Sequence, residues 1–359
     1  MPAPTHGYEV VITGGAGFVG SSLALSLAER HPAWRIRAFD NLKRRGSELA
    51  LRRLAAYGVR FVHGDIRNPS DLDELGKFDL LIDCAAEPSV VAGSVNYVLD
   101  TNLGGTIHCL EAARRHGAAL VFVSTSRVYP IARIEELPFV EQETRFAPAP
   151  DARGLGFSAA GLDEQFPLEG ARSLYGASKL CSELIIHEYV ESHGLRAVID
   201  RCGVLTGPWQ MGKVDQGVIM HWVASHVFEK GLRYIGYGGT GKQVRDVLHV
   251  ADLAELIDRQ IDALDELKGD VFNVGGGVEG SLSLRELTTL CQAVTGRRVP
   301  IAAEPETRRL DIRMYLSNCH KVQQRFGWKP MRTTEIIVDD IAQWVTDQRS
   351  TLAGVLFTP

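Results

Sequence analysis

The chain has 359 residues, a formal net charge of -5, 45% hydrophobic and 23% charged residues. That length can bury a large core as two packed lobes, and the near-balanced charge exerts no bulk pull toward nucleic acid or an anionic membrane. The start MPAPTHGYEV lacks a basic stretch followed by an apolar one and no apolar run approaches bilayer length, so a cytoplasmic protein with no membrane partner is expected.

Short β-branched runs alternate with amphipathic stretches from the amino terminus onward. EVVIT, RIRAF, VRFVH, DLLIDC, ALVFVS and RAVID read as strands, separated by helical segments such as SSLALSLAERH and TIHCLEAARRHG. This alternation predicts an α/β fold with a Rossmann-type, doubly wound parallel sheet, and the nearly continuous apolar strands predict helices on both faces.

The first strand runs into TGGAGFVG, placing Gly14, Gly17 and Gly20 between a strand and a helix. Glycines there let the backbone turn tightly and approach a pyrophosphate at the helix amino terminus. Asp40 ends the next strand twenty residues after Gly20, where a carboxylate would hold the adenosine ribose hydroxyls. It would repel a 2'-phosphate, which argues for NAD, although Arg44 and Arg45 stand close enough in sequence to compensate in part. Asp65 and Ile66 end the following strand, as a frame for adenine or as a strand-end turn.

VFVSTSRVYP sets Ser124, Thr125 and Ser126 at the carboxyl end of an apolar strand, the edge where open α/β sheets bind ligands. From Pro130 to about Arg172 the chain is rich in Pro, Gly, Ala and acidic residues with little periodicity, which predicts a loop covering substrate. SLYGASKLCSEL follows, with Tyr175 and Lys179 four residues apart on one helical face. The ammonium of Lys179 can lower the phenol pKa of Tyr175, making a general base that takes a hydroxyl proton beside a nicotinamide ring.

After about Arg201 the pattern changes to Gly- and aromatic-rich GPWQMGKVDQG and YIGYGGTGKQ, so a second, smaller, mixed α/β lobe is expected over 201–246 and 276–359. Residues 1–200 would form the dinucleotide-binding domain, to which the chain returns around 247–275. Near that return VFNVGG reads as a buried strand and SLSLRELTTLCQAVTG as a capped helix. Six scattered cysteines without a C-x-x-C pair fit reduced thiols, and no histidine spacing suggests a metal.

On the glycine loop, Asp40, the Y-x-x-x-K pair and the GPWQ turn at Gly207, the chain resembles the extended short-chain dehydrogenase/reductase family of nucleotide-sugar epimerases and dehydratases. The resemblance implies Thr125 as the hydroxyl partner of the tyrosine, NAD contacts from Phe18, Val19, Asn41, Ala85, Ala86, Asn102 and Cys202 as well, and substrate contacts from Val204 and Gln210. It matches Arg245 in QVRDVLHV and Arg308 in ETRRLD to the arginines of the substrate diphosphate, a role suited to guanidinium charge and fork geometry.

Ser126 and Arg127 stand where the family's 4,6-dehydratases carry an Asp-Glu pair, and Val204 where many 4-epimerases carry asparagine. RCGVLTGPWQMGKVDQGV, GYGGTGKQVRDVLHVADL and VGGG look most like the members that invert C2 of a CDP-linked dideoxyhexose. The resemblance also implies a homodimer or higher homo-oligomer, through helices around Thr106 and Leu180. A UDP-sugar 4-epimerase and a catalytically silent NAD-binding sensor are the alternatives.

Overall fold

Runs of Val, Ile, Leu and Phe build the strands of a central sheet, because side chains on both of its faces are buried. In the computed structural model, which describes residues 7–88, 94–212 and 216–357, these strands are β1 (Glu9–Thr13), β2 (Arg35–Asp40), β3 (Arg60–His63), β4 (Leu80–Asp83), β5 (Ala119–Thr125), β6 (Ala197–Cys202) and β7 (Lys268–Val274). Residues 1–6 of the amino-terminal segment and 213–215 of the GPWQMGKVDQG run lie outside the described residues. The seven strands form a parallel sheet in the order β7-β6-β5-β4-β1-β2-β3. Strand order reverses between β1 and β4, the switch point at which such sheets take their ligands.

The helix Phe18–Arg30 follows β1, Gly105–His116 leads into β5, and Leu174–His193 precedes β6. Val11, Phe39, Leu81, Leu110, Leu120, Phe122 and Ile199 share one apolar cluster among sheet and helices. The helix before β5 begins with a π-helical turn, Asp100–Gly104, a widened geometry that recurs at functional sites. Its neighbour Gly105 fits closely against Ile66: an added Cβ would lie 2.6 Å from the isoleucine Cγ1.

The chain divides into two compact units. The first holds the residues up to Thr125, Leu174–Arg201 and Leu253–Val271; the second holds Ser126–Ser173, Cys202–Asp252 and the chain from Phe272 onward. The segment 126–173, grouped with residues 1–200 on sequence, therefore packs within the second unit. Its expected loop is not structureless. Ile131–Glu135 is a helical turn, Phe139–Glu141 pairs with Phe146–Pro148, and Arg153–Gly154, Phe157–Ser158 and Gly161–Leu162 make a small antiparallel sheet. Gly156 and Gly161, at φ +72° and +109°, turn the chain inside that sheet.

The second unit has its own apolar core, with Met220, Trp222, Leu287, Ile337, Ile341 and Val345. In it Val204–Thr206 pairs with Val244–His249, which also pairs with Ser281–Ser283 and Met314–Tyr315. The helix Leu284–Thr295 carries the expected capping box, Ser283 with Glu286, and stops at Gly296 in the left-handed region.

Candidate active site

The glycine loop is built for close approach. Gly14 sits at φ +61°, where an added Cβ would come 2.9 Å from the Cys84 carbonyl, and a Cβ on Gly20 would come 2.8 Å from the Gly14 carbonyl carbon. Gly17 caps the helix Phe18–Arg30 without a side-chain hydrogen bond, which leaves its first N–H groups available to an anion. Phe18 and Val19, half-buried, form the first helical turn.

Asp40 is oriented before any ligand arrives. Its Oδ2 accepts from the Ala16 N–H at 3.1 Å, in the glycine loop, and its Oδ1 from the Leu42 N–H at 2.7 Å. Burial raises its pKa, with those backbone N–H groups opposing. Leu42 takes φ +55° to close this turn, an uncommon conformation for a side chain of its kind.

Asn41 donates its amide to Asp65 Oδ2 at 2.9 Å, and Asp65 also accepts from the Arg67 guanidinium at 2.5 Å. The hydrogen bond from Arg67 holds the Asp65 carboxyl well below the usual carboxylate range. Asn41 and Asp65 thus tie together the ends of β2 and β3. Ile66 is buried, 5% exposed, with its carbonyl oxygen 2.9 Å from His108 Nδ1. These residues fit NAD: a cradle that a Cβ would fill, an uncapped helix start and a pre-oriented carboxylate at one sheet edge.

Ala85 and Ala86 follow β4, and Asp83 at its end is fully buried. Asp83 accepts from Thr13 Oγ1 at 2.6 Å and Ala85 N–H at 3.2 Å, so it fixes the switch-point edge. Asn102 lies in the π-helical turn and is also fully buried. Its Oδ1 accepts from Glu87 N–H at 2.7 Å, and its Nδ2 reaches the Glu87 carbonyl at 3.1 Å and Ser178 Oγ at 3.0 Å. Its side chain is thereby engaged with the strand-end segment and with the helix of Tyr175 and Lys179. Ser178 in turn donates to the Tyr175 carbonyl at 2.8 Å.

Thr125 ends β5, and Tyr175 and Lys179 occupy the first turns of Leu174–His193; all three belong to the first unit. Lys179 is only 1% exposed, and its ammonium lies over the Phe122 ring, 3.7 Å from the centroid. One turn further along, Glu183 accepts from Ser124 Oγ at 2.5 Å and from Arg201 at 2.7 and 3.1 Å. Phe122, Ser124, Glu183 and Arg201 were not expected in these roles from the sequence. A signal was present: a charge closes the apolar run RAVIDR, and a carboxylate four residues after Lys179 falls on that lysine's own, inward helix face.

The remaining expected residues lie in the second unit. Cys202 is 3% exposed. Val204 begins the strand Val204–Thr206. Gln210 donates to the Leu205 carbonyl at 2.9 Å and accepts from Thr206 Oγ1 at 2.9 Å, so its amide closes the GPWQ turn, in which Trp209 adopts φ +72°. Arg245 pairs with Asp311 at 2.6 Å, and Arg308 is an exposed residue of a turn closed by the Asp311 N–H on its carbonyl at 3.0 Å.

All six cysteines are free thiols. Among the described residues no three His, Cys, Asp or Glu side chains group as a metal site, and no helix is long and apolar enough to cross a membrane.

A reversing parallel sheet, a glycine cradle, a carboxylate held at the loop by backbone N–H groups and a helix carrying tyrosine and lysine are the features of a nicotinamide-dinucleotide enzyme of the Rossmann class. Residues 10–275 match the NAD dependent epimerase/dehydratase family, and the chain belongs to it. NAD is accordingly its cofactor, and its class acts on nucleotide sugars.

Among curated relatives, CDP-paratose 2-epimerase of Salmonella typhi is 31% identical over 349 residues, covering 94% of this chain and 99% of the relative. UDP-glucose 4-epimerase of Streptomyces lividans is 28% identical, covering 94% and 95%. The solved dTDP-glucose 4,6-dehydratase of Bacillus anthracis in complex with NAD aligns with a TM-score of 0.73 and 26% identity, over 96% of this chain and 98% of that one.

Proposed function

We propose that the protein epimerises a nucleotide sugar at C2, with a CDP-linked dideoxyhexose of the paratose and tyvelose type as substrate. The observation that carries this reading is the 31% identity to CDP-paratose 2-epimerase across nearly the full length of both chains. Ser126 and Arg127 support it against dehydration, since neither offers the carboxylates that water loss calls for; Arg127 donates to the Leu310 carbonyl at 3.2 Å.

NAD, when bound, accepts a hydride from the sugar carbon and later returns it. Tyr175 takes the C2 hydroxyl proton, with the Thr125 hydroxyl bridging phenol and substrate oxygen. Lys179 stabilises the phenolate by its charge. The resulting 2-keto sugar presents its other face, and Tyr175 gives the proton back as hydride returns. Arg245 and Arg308 are assigned to the substrate diphosphate. Because the cycle has no net redox change, it favours a cofactor that stays bound.

The test is proton NMR of the NAD-loaded protein with CDP-, UDP-, GDP- and TDP-sugars in deuterated water. Inversion at C2 of CDP-paratose or CDP-tyvelose, without deuterium at that carbon, is expected. Inversion at C4 alone would favour the UDP-sugar 4-epimerase reading, which the likeness to the Streptomyces enzyme supports. No turnover with any sugar would leave the NAD-binding sensor.

A further inference from the structure

Lys179 is buried at 1% exposure, and removing an ammonium from water disfavours its charged form. Its role in the reading above requires that charge. The titratable and charged groups around it come from several elements: Asp83 and Cys84 at the end of β4, Cys109 on Gly105–His116, Tyr175 and Glu183 on its own helix, and Arg201 of β6 paired to Glu183. Burial pushes the Cys84 and Cys109 thiols up, with Asp83 adding to that and Lys179 opposing it, so the thiols are not a source of negative charge here.

Phe122 stands apart from these groups. It is fully buried on β5, three residues before Thr125, and presents its ring face to the Lys179 ammonium at 3.7 Å. An aromatic face carries partial negative charge, and a cation desolvated over it gains far more than one in water. A ring also holds the ammonium in place without adding a titratable neighbour that would compete for the phenol proton. We infer that Phe122 is a positioning residue for the reaction: its ring face keeps Lys179 charged and in place within a buried site, and so tunes the base at Tyr175. Phe122 itself touches neither proton nor substrate in this scheme.

The inference rests on the role of Lys179 in the proposed function, but its test needs no substrate. Lysine labelled with 13C at Cε in the NAD-loaded protein reports the Lys179 ionisation directly, with the signal assigned by its loss in Lys179→Arg. Replacing Phe122 by mono-, di- and trifluorophenylalanine nearly keeps the ring's shape while draining its face of negative charge.

A graded fall in Lys179 proton affinity is expected, reaching about tenfold for the trifluoro ring, with the melting temperature little changed. Phe122→Leu should move the titration the same way, and the fluorinated series decides the matter if that variant fails to fold. A flat titration across the series would overturn the inference, whatever the sugar panel shows. If no nucleotide sugar is turned over and yet the titration falls with fluorination, the proposed reaction is wrong and the ring's effect on Lys179 stands.

Discussion

Glu183 and Arg201 hold opposite charges against each other inside the first unit, with Oε2 2.7 Å from the guanidinium and side chains 2% and 6% exposed. Ser124 hydrogen-bonds the same carboxylate from β5, so one buried cluster ties the helix of Tyr175 and Lys179 to two strands of the sheet. Removing one partner of such a pair costs about 3–5 kcal/mol, whereas replacing both by apolar residues is often neutral. Glu183→Gln is therefore expected to lower stability by about 3 kcal/mol, and Glu183→Leu with Arg201→Met to restore much of it. The double variant should nonetheless turn over at least tenfold more slowly, because Ser124 loses its acceptor. Chemical denaturation and steady-state rates check both; full activity in the double variant would show that the cluster serves stability alone.

Tyr175→Phe keeps the ring and deletes the hydroxyl to which the proposed mechanism assigns the proton transfer. Turnover should fall by about 10²–10⁴-fold, the range of general acid-base contributions, while the NAD content of the purified protein stays unchanged. Activity within a factor of two of the parent would remove the assigned base.

Gly20→Ala adds a methyl group against the Gly14 carbonyl oxygen, with the Gly14 carbonyl carbon and the Gly15 Cα at 2.8 and 2.9 Å. Backbone has no rotamer with which to yield, so the loop must deform. NAD binding by calorimetry should weaken by tenfold or more with far-ultraviolet circular dichroism preserved. Unaltered affinity would mean that the cradle tolerates a Cβ.

Asp200 is fully buried beside Gln260, whose Nε2 donates to it at 2.8 Å; burial pushes its pKa up to about 7. The folded state thus holds this proton more tightly than the unfolded chain does. Its contribution is fully present below about pH 4, the ordinary aspartate range, and is lost as pH rises toward 7. Asp200→Asn should flatten that decline and raise the melting temperature at pH 8 by about 2–5 °C, with little effect at pH 4. Equal shifts at both pH values would show that ionisation is not the cause.

The strand-turn-helix-strand unit that carries the glycine loop was legible because its signals are local. Gly14, Gly17, Gly20 and Asp40 sit within one strand-turn-helix-strand unit, where spacing alone fixes their neighbours. The buried cluster was not: Ser124 and Glu183 are 59 residues apart, and pairing at that range depends on strand order, which the sequence does not spell out. Gln210 was expected to contact substrate, yet an amide has donor and acceptor for its own turn, and spacing could not show that it uses both there. The segment 130–172 read as a loop because its strands have two or three residues, too few for a period of two to register.

The contact between Ile66 and Gly105 has a consequence for how this chain can change over generations of mutation. A side chain at 105 meets the Ile66 side chain, which must shift to admit it, whereas a smaller residue at 66 leaves the space open. Order matters for the pair: shrink 66 first and alanine at 105 finds room; attempt 105 first and the Ile66 side chain must move aside. The two positions, 39 apart in the chain, are sterically coupled, and a designer wishing to reshape this end of the sheet should alter them together.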